Sequence, residues 1–227
     1  MLDRVTTAVP RGTVTGLLGP SGSGKTTLMR AIVGVQKWRA GQVTVLGQSA
    51  GSPSLRYRVG YLTQAPSVYP DLTVRENAVY FASLFPGLTK DDAERAIEEV
   101  GLAEAAGQLV GTLSGGQRSR ASLACVLVSR PEVMVLDEPT VGQDPLLREE
   151  LWQRFHDLAQ AGTTLLVSSH VMDEAAHCDR LVLIRTGQVV ADGSVAEIRE
   201  EAGTDDLEQA FIRLIRARSP LPTEKVA

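Results

Sequence analysis

Cysteine and aromatic residues are scarce in this chain of 227 residues: there are two Cys, and Phe, Trp and Tyr together make up 4%. Cys125 and Cys178 stand far apart and without metal-ligand spacing, which excludes a disulfide framework and a thiolate metal site. Both are expected to be small, reduced core residues of a cytosolic protein. No apolar run approaches the roughly eighteen residues that a membrane span needs, and the N-terminus lacks the apolar stretch of a signal peptide. A soluble chain is expected, so any membrane role must run through a partner. Charge of one sign is lacking too, since 23 Lys and Arg oppose 27 Asp and Glu for a net −4. That gives no general attraction to a polyanion, so nucleic acid is not an expected partner. With 43% apolar residues, the chain has enough material for one sizeable α/β core.

Glycine, by contrast, is placed where it carries chemistry. The run Gly19-Pro20-Ser21-Gly22-Ser23-Gly24-Lys25-Thr26 fits the spacing G-x-x-x-x-G-K-[ST] of a phosphate-binding loop. Residues 14–18 before it read as a short buried strand, and residues 26–35 after it as a helix. Such a strand, loop and helix direct backbone N–H groups and the positive end of a helix at an anion. Gly19, Gly22 and Gly24 let the backbone turn and approach phosphate oxygens that a Cβ would block. Lys25 then reaches the β- and γ-phosphates as a point charge, and the Thr26 hydroxyl is placed to ligate Mg²⁺. The expected ligand is a nucleoside triphosphate.

Further strands are expected over 41–47 and 59–64. Helices follow from Asp71 to about Phe85, where Pro86-Gly87 stops the first, and from a capping box at Thr89 to Val100, where Gly101 ends the second. A third helix follows Gly116 and runs to Ser129. Residues 133–136 form an apolar run of the kind found in a parallel sheet buried on both faces. A helix over 145–161 sets Leu147, Leu151, Phe155 and Leu158 along one side, and a strand over 163–168 follows it. Residues 181–184 and 188–191 read as a hairpin about Thr186-Gly187. A last helix spans 207–218, residues 220–227 are expected to fray, and His156 and His177 fall in helical patterns as packed residues. The implied layout is one domain over 1–227. It has a nucleotide-binding core of 1–64 and 131–203, a helical insertion of 65–130, and a terminal helix and tail of 204–227.

The insertion holds a second motif, Leu113-Ser114-Gly115-Gly116-Gln117, at the head of the third helix. A serine, two glycines and a fresh helix N-terminus again suit an anion. Two such sites flank one insertion, and an economical solution is that the second serves the nucleotide of another copy. Asp137 ends an apolar strand at the usual ligand edge of an α/β sheet, where a carboxylate calls for a cation, and Glu138 beside it is placed to polarise water.

At these motifs the chain resembles the ATP-binding cassette family, over nearly all of residues 12–215. The resemblance implies an α/β fold: a P-loop NTPase (RecA-like) core with a mainly parallel sheet and an inserted α-helical subdomain. It implies ATP and Mg²⁺ bound by Gly19, Pro20, Ser21, Gly22, Ser23, Gly24, Lys25, Thr26 and Thr27. Gln64 falls in the family's Q-loop, where with Thr26 and Asp137 it helps to hold the metal. Ser114, Gly115, Gly116 and Gln117 match its signature, and Asp144 stands in its D-loop. Glu138 is implied as general base, with Lys25 and His170 acting on the γ-phosphate.

The segment from Tyr69 to Asn77 and the ending Leu207-Glu208-Gln209-Ala210-Phe211 look like the branch that serves bacterial drug-resistance, antibiotic and lipid-type exporters. That branch implies an ATPase working as a homodimer or paired cassette at the cytoplasmic membrane face. There it pairs with a separate integral-membrane permease, whose coupling helix would meet Pro66, Val68, Tyr69 and Phe81. The alternatives are a non-transport cassette ATPase and a nucleotide-regulated assembly module. Two departures stand out: residues 1–18 hold no aromatic to stack on adenine, and Gln143 replaces the usual D-loop leucine, which is expected to weaken packing across the dimer.

Overall fold

The computed structural model describes residues 2–218. Strand β1 (Val14–Leu18) is buried along its whole length because it lies inside the sheet, parallel both to β6 (Thr164–Ser169) and to β7 (Arg180–Arg185). The six-stranded sheet adds β4 (Val59–Leu62), β5 (Val133–Asp137) and β8 (Gln188–Gly193), in the order β4-β5-β6-β1-β7-β8. Only β8 runs antiparallel, joined to β7 by a hairpin whose turn residues Thr186 and Gly187 have φ of 48° and 82°. This is the left-handed pair that a two-residue turn matched to strand twist requires. The parallel strands are apolar on both faces because both faces are covered. On one face Leu17, Val135 and Leu166 meet Leu28 and Met29 of α1 (Lys25–Ile32). On the other, Leu18, Leu136 and Val167 join a cluster that includes Trp152 and Phe155 of α5 (Pro145–Gln160).

Between β4 and β5 come three helices, α2 (Val74–Ser83), α3 (Lys90–Glu99) and α4 (Gly115–Leu127). Each opens on a reciprocal capping box: Thr73 with Glu76, Thr89 with Asp92, and Ser114 with Gln117. In these boxes the cap side chain accepts a backbone N–H of the first turn, while the third residue's side chain accepts the N–H of the cap.

Four local features differ from the sequence expectation. The strand expected over 41–47 is instead a small hairpin of β2 (Thr44–Val45) and β3 (Gln48–Ser49), because Leu46 and Gly47 both take positive φ, 49° and 78°. Helix α1 stops at Ile32 rather than 35, ahead of Gly34 with φ 82°. An unanticipated helix, α6 (Val195–Ala202), precedes α7 (Leu207–Arg218), and its capping box of Ser194 and Glu197 was the sequence signal for it. On α5 the buried residues are Leu151, Trp152, Phe155 and Ala159, so Leu151 and Phe155 of the expected stripe are buried while Leu147 and Leu158 are only half-buried and Trp152 and Ala159 join it. Cys125 and Cys178 are free and buried as expected, and burial pushes both thiols up to about 12. The fraying expected over 220–227 lies outside the described residues.

Gly34 makes the closest backbone approach in this region: a Cβ on it would stand 2.2 Å from the Cα of Gly51, at the exit of the β2–β3 hairpin. Gly41 has a similar φ of 92° but open space around it. Gly34→Ala is therefore expected to cost about 2–4 kcal/mol and Gly41→Ala about 1 kcal/mol in urea unfolding. Equal losses would show that φ alone, and not the close approach, sets the requirement for glycine at Gly34.

Candidate functional site at the sheet edge

The parallel strands deliver their C-terminal ends to one edge, where Leu18 lies opposite Ser169, Leu62 opposite Leu136, and Asp137 opposite Ser168. This edge is where open α/β sheets bind ligands. The glycine loop follows Leu18 and folds over it. Gly19 is packed so tightly that a Cβ would meet the Ile184 carbonyl oxygen at 2.1 Å, and Gly24 opens α1 with φ 111°. Pro20 and Ser21 are exposed, Thr26 is half-buried and Thr27 exposed on the first turn of α1. Lys25 is 5% exposed, and its Nζ donates to the carbonyls of Gly19 at 2.7 Å and Pro20 at 3.2 Å. Burial lowers the pKa of this ammonium, and Glu138 and Asp137 pull it back up.

Across from Lys25 stand two adjacent carboxylates with different surroundings. Asp137 is 1% exposed; its Oδ1 accepts the Ser168 hydroxyl at 2.6 Å, while its Oδ2 has no partner. A buried, half-satisfied carboxylate is the donor expected of a site for a hard divalent cation, and with the Thr26 hydroxyl the chemistry fits Mg²⁺. Glu138 has φ 53°, an unfavourable conformation for a side-chain-bearing residue, and its N–H donates to Ser168 Oγ at 3.0 Å. Such strain persists where the surroundings over-determine it, often at active sites. The turn aims Glu138 at the loop. Its Oε1 lies 3.9 Å from Lys25 Nζ and 3.4 Å from His170 Nδ1, and its Oε2 accepts Gln64 Nε2 at 3.0 Å.

Lys25, Gln64, the adjacent Asp137 and Glu138, and His170 are thus brought together from four separate parts of the chain. Ser168 ties the Asp137 carboxylate to the Glu138 backbone N–H, a role that sequence reading missed; the only signal was a hydroxyl near the end of an otherwise apolar strand. Gln64 owes its place to the helical block. Ser67 N–H donates to Ser122 Oγ of α4 at 3.1 Å, and the fully buried Asn77 of α2 bonds both the N–H and the carbonyl of Tyr69.

The residues Ser114 to Gln117 have another neighbourhood. Ser114 and Gln117 cap α4, and a Cβ on Gly116 would stand 3.3 Å from the Gly142 carbonyl oxygen. Gly115 is exposed at the same helix end. Among the described residues, no hydrogen bond or ion pair joins this turn to Lys25, Asp137 or Glu138. Asp144 caps α5, accepting Leu147 N–H at 3.1 Å. Gln143 is buried within its own chain, its Nε2 on the Pro139 carbonyl at 3.1 Å, so its side chain is not presented to a partner as the sequence suggested.

The profile of the ABC transporter family matches residues 2–141, which include the glycine loop, Gln64, the Ser114–Gln117 turn and both carboxylates. The chain belongs to the ABC transporter family. It is 37% identical over 94% of its length to a probable multidrug ABC transporter ATP-binding protein, YbhF, of Escherichia coli K12, but spans only 39% of that protein. It is 39% identical over 92% of its length to the Nod factor export ATP-binding protein I of Burkholderia thailandensis, covering 71% of it. A solved ATP-binding subunit of an ABC transporter superposes with a TM-score of 0.84 at 27% identity, covering 94% of this chain and 92% of the other. The mainly parallel α/β sheet with helices on both faces is the fold of this family.

In this ABC family member the unpartnered Asp137 Oδ2 makes a direct prediction. Asp137→Asn is expected to be at least as stable as the wild type in EDTA, since it removes a buried charge of which one oxygen has no hydrogen-bond partner. It should also lose the part of ATP-induced thermal stabilisation that depends on Mg²⁺. A Mg²⁺ increment equal to that of the wild type would remove Asp137 from the metal site.

Proposed function

We propose that this chain is the ATP-hydrolysing subunit of an ABC exporter, acting in pairs at the cytoplasmic face of a membrane through a separate permease. The observation that carries the proposal is the convergence of Lys25, Gln64 and His170 on the Glu138 carboxylate beside the glycine loop.

In this reading the loop N–H groups from Gly19 to Thr27 surround the β- and γ-phosphates. The Lys25 ammonium exchanges its two carbonyl partners for phosphate oxygens, a charge-assisted and therefore stronger pairing. Asp137, Thr26 and Gln64 would hold Mg²⁺, which when bound neutralises charge on the β- and γ-oxygens. Glu138 accepts the proton of the attacking water, for which its fixed backbone turn and buried setting orient it. His170, on the other side of that carboxylate, steadies the water or the γ-phosphate.

Ser114, Gly115, Gly116 and Gln117 belong to the second half of the chemistry. The exposed end of α4 offers N–H groups and a hydroxyl, and these serve the nucleotide of a second cassette. Asp144 and the neighbouring exposed Val141 lie on the same side of the chain as this turn, through the Gly142 contact. The relatives' names, a multidrug transporter and a Nod factor exporter, support the exporter branch.

For the permease, the face around α2 is the better match. Tyr57, Tyr69, Tyr80 and Leu84 are between 42% and 53% exposed, and the rings of Tyr69 and Tyr80 meet edge to face at 5.3 Å. Exposed aromatics beside the segment that holds Gln64 would pass permease motion to the nucleotide site. Of the apolar residues first assigned to that face, Val68 and Phe81 instead pack partly against the core, while Pro66 and Tyr69 remain exposed.

Phosphate release by the purified protein tests this. Lys25→Ala should bind no ATP. Glu138→Gln should bind ATP yet turn over at least about 10²-fold more slowly, the usual contribution of a general base. Ser114→Ala should lose about 10²-fold, as for a lost transition-state donor. Unchanged turnover in Glu138→Gln would remove the assigned base, and unchanged turnover in Ser114→Ala would remove the second half-site.

A further inference from the structure

The chemistry above makes no use of Glu174, a carboxylate 3% exposed in the 3-10 turn Met172–His177 that follows His170. A buried carboxylate is costly unless a cation faces it. That cation is Arg148 on α5, whose Nε lies 3.9 Å from Glu174 Oε1. Arg148 also reaches the other way: its Nη2 donates to the Gln143 carbonyl at 3.5 Å, and its backbone N–H to that of Asp144 at 3.0 Å. The preceding carbonyl, that of Gly142, is the surface on which Gly116 rests. One line of contacts therefore runs from the segment after His170, through Glu174 and Arg148, to the loop of residues 141–144 and on to the turn that opens α4.

The ion pair has a further engagement open to it. Neither Arg148 Nε nor Glu174 Oε2 has a hydrogen-bond partner, and a closure of about 1 Å would bring the pair to bonding distance. The segment does not depend on the pair for its place, because His177 stacks on the buried Trp152 of α5 with centroids 5.1 Å apart and planes 9° from parallel. Such a contact, able to tighten without unfolding its surroundings, suits a switching element better than a structural one.

We propose that Arg148 and Glu174 are positioning residues for ATP hydrolysis. They hold the 141–144 loop to the 171–177 segment, so that His170 at one nucleotide site and Gly116 at the other are set together. This rests on the two-site reading given above.

Steady-state ATP hydrolysis by the full chain tests it, in wild type, Arg148→Gln, Arg148→Lys, Glu174→Gln and the double Arg148→Gln/Glu174→Gln, with thermal melts alongside. Each Gln variant, the double included, is expected to lose about tenfold in kcat with KM for ATP within about twofold of wild type. Arg148→Lys should recover most of the loss. A folded Arg148→Gln with wild-type kcat, a loss expressed only in KM, or multiplying losses in the double variant would each overturn the pairing. Should Glu174→Gln fail to fold, the contrast between Gln and Lys at the partly exposed Arg148 decides alone. A wild type that binds Mg-ATP but releases no phosphate would overturn the hydrolytic reading itself, which separates that failure from a failure of the pair.

Discussion

The interaction on which the rest depends is the buried ammonium of Lys25 facing the carboxylates at the end of β5. Charges so far from water are tolerated only when each is answered by another, and the fold supplies the answers from different directions. Loop carbonyls hold the cation, Ser168 holds one oxygen of Asp137, and Gln64 and His170 hold Glu138. The parallel sheet is what brings these groups to one place, because its strands end in register at one edge. The glycine loop has to be free of side chains at Gly19, since the Ile184 carbonyl already fills the space where a Cβ would stand. Such an arrangement leaves an unsatisfied carboxylate oxygen on Asp137 that binding of a cation would satisfy, beside the backbone strain held at Glu138.

The helical block does two jobs that are physically linked. Through Ser122 and Asn77 it fixes the segment bearing Gln64, and through the capped end of α4 it carries the Ser114–Gln117 turn. A displacement of the block relative to the sheet would therefore move Gln64 at one end and the turn at the other. The exposed Tyr69 and Tyr80 lie on the same block, so under the proposed function it would receive the motion of the membrane partner.

Much of this was legible in the sequence because glycine and charge patterns are local. The phosphate loop, the hairpin at Thr186-Gly187 and the capping box of α3 each depend on a few adjacent residues, and each appears where it was expected. What escaped depends on contacts between distant segments or on weak local cues. Ser168 is ordinary until β6 sets it against Asp137, and the inward turn of Gln143 follows from the Pro139 carbonyl four residues back. Trp152 sits outside the simplest apolar stripe of α5, yet it is among the largest fully buried side chains because α5 meets the 3-10 turn as well as the sheet. The strand expected over 41–47 contains β2 but not β3, and each, at two residues, is too short to show alternation. Helix α6 was missed although Ser194 and Glu197 announce its start.

If one chain carries two halves of different nucleotide sites, Glu138→Gln should pair with a second copy when it holds ATP, and its mass in solution reports this. Light scattering with and without Mg-ATP should show a monomer without nucleotide and a doubled mass with it. A mass that stays monomeric at saturating Mg-ATP, with binding confirmed in the same sample, would contradict the account.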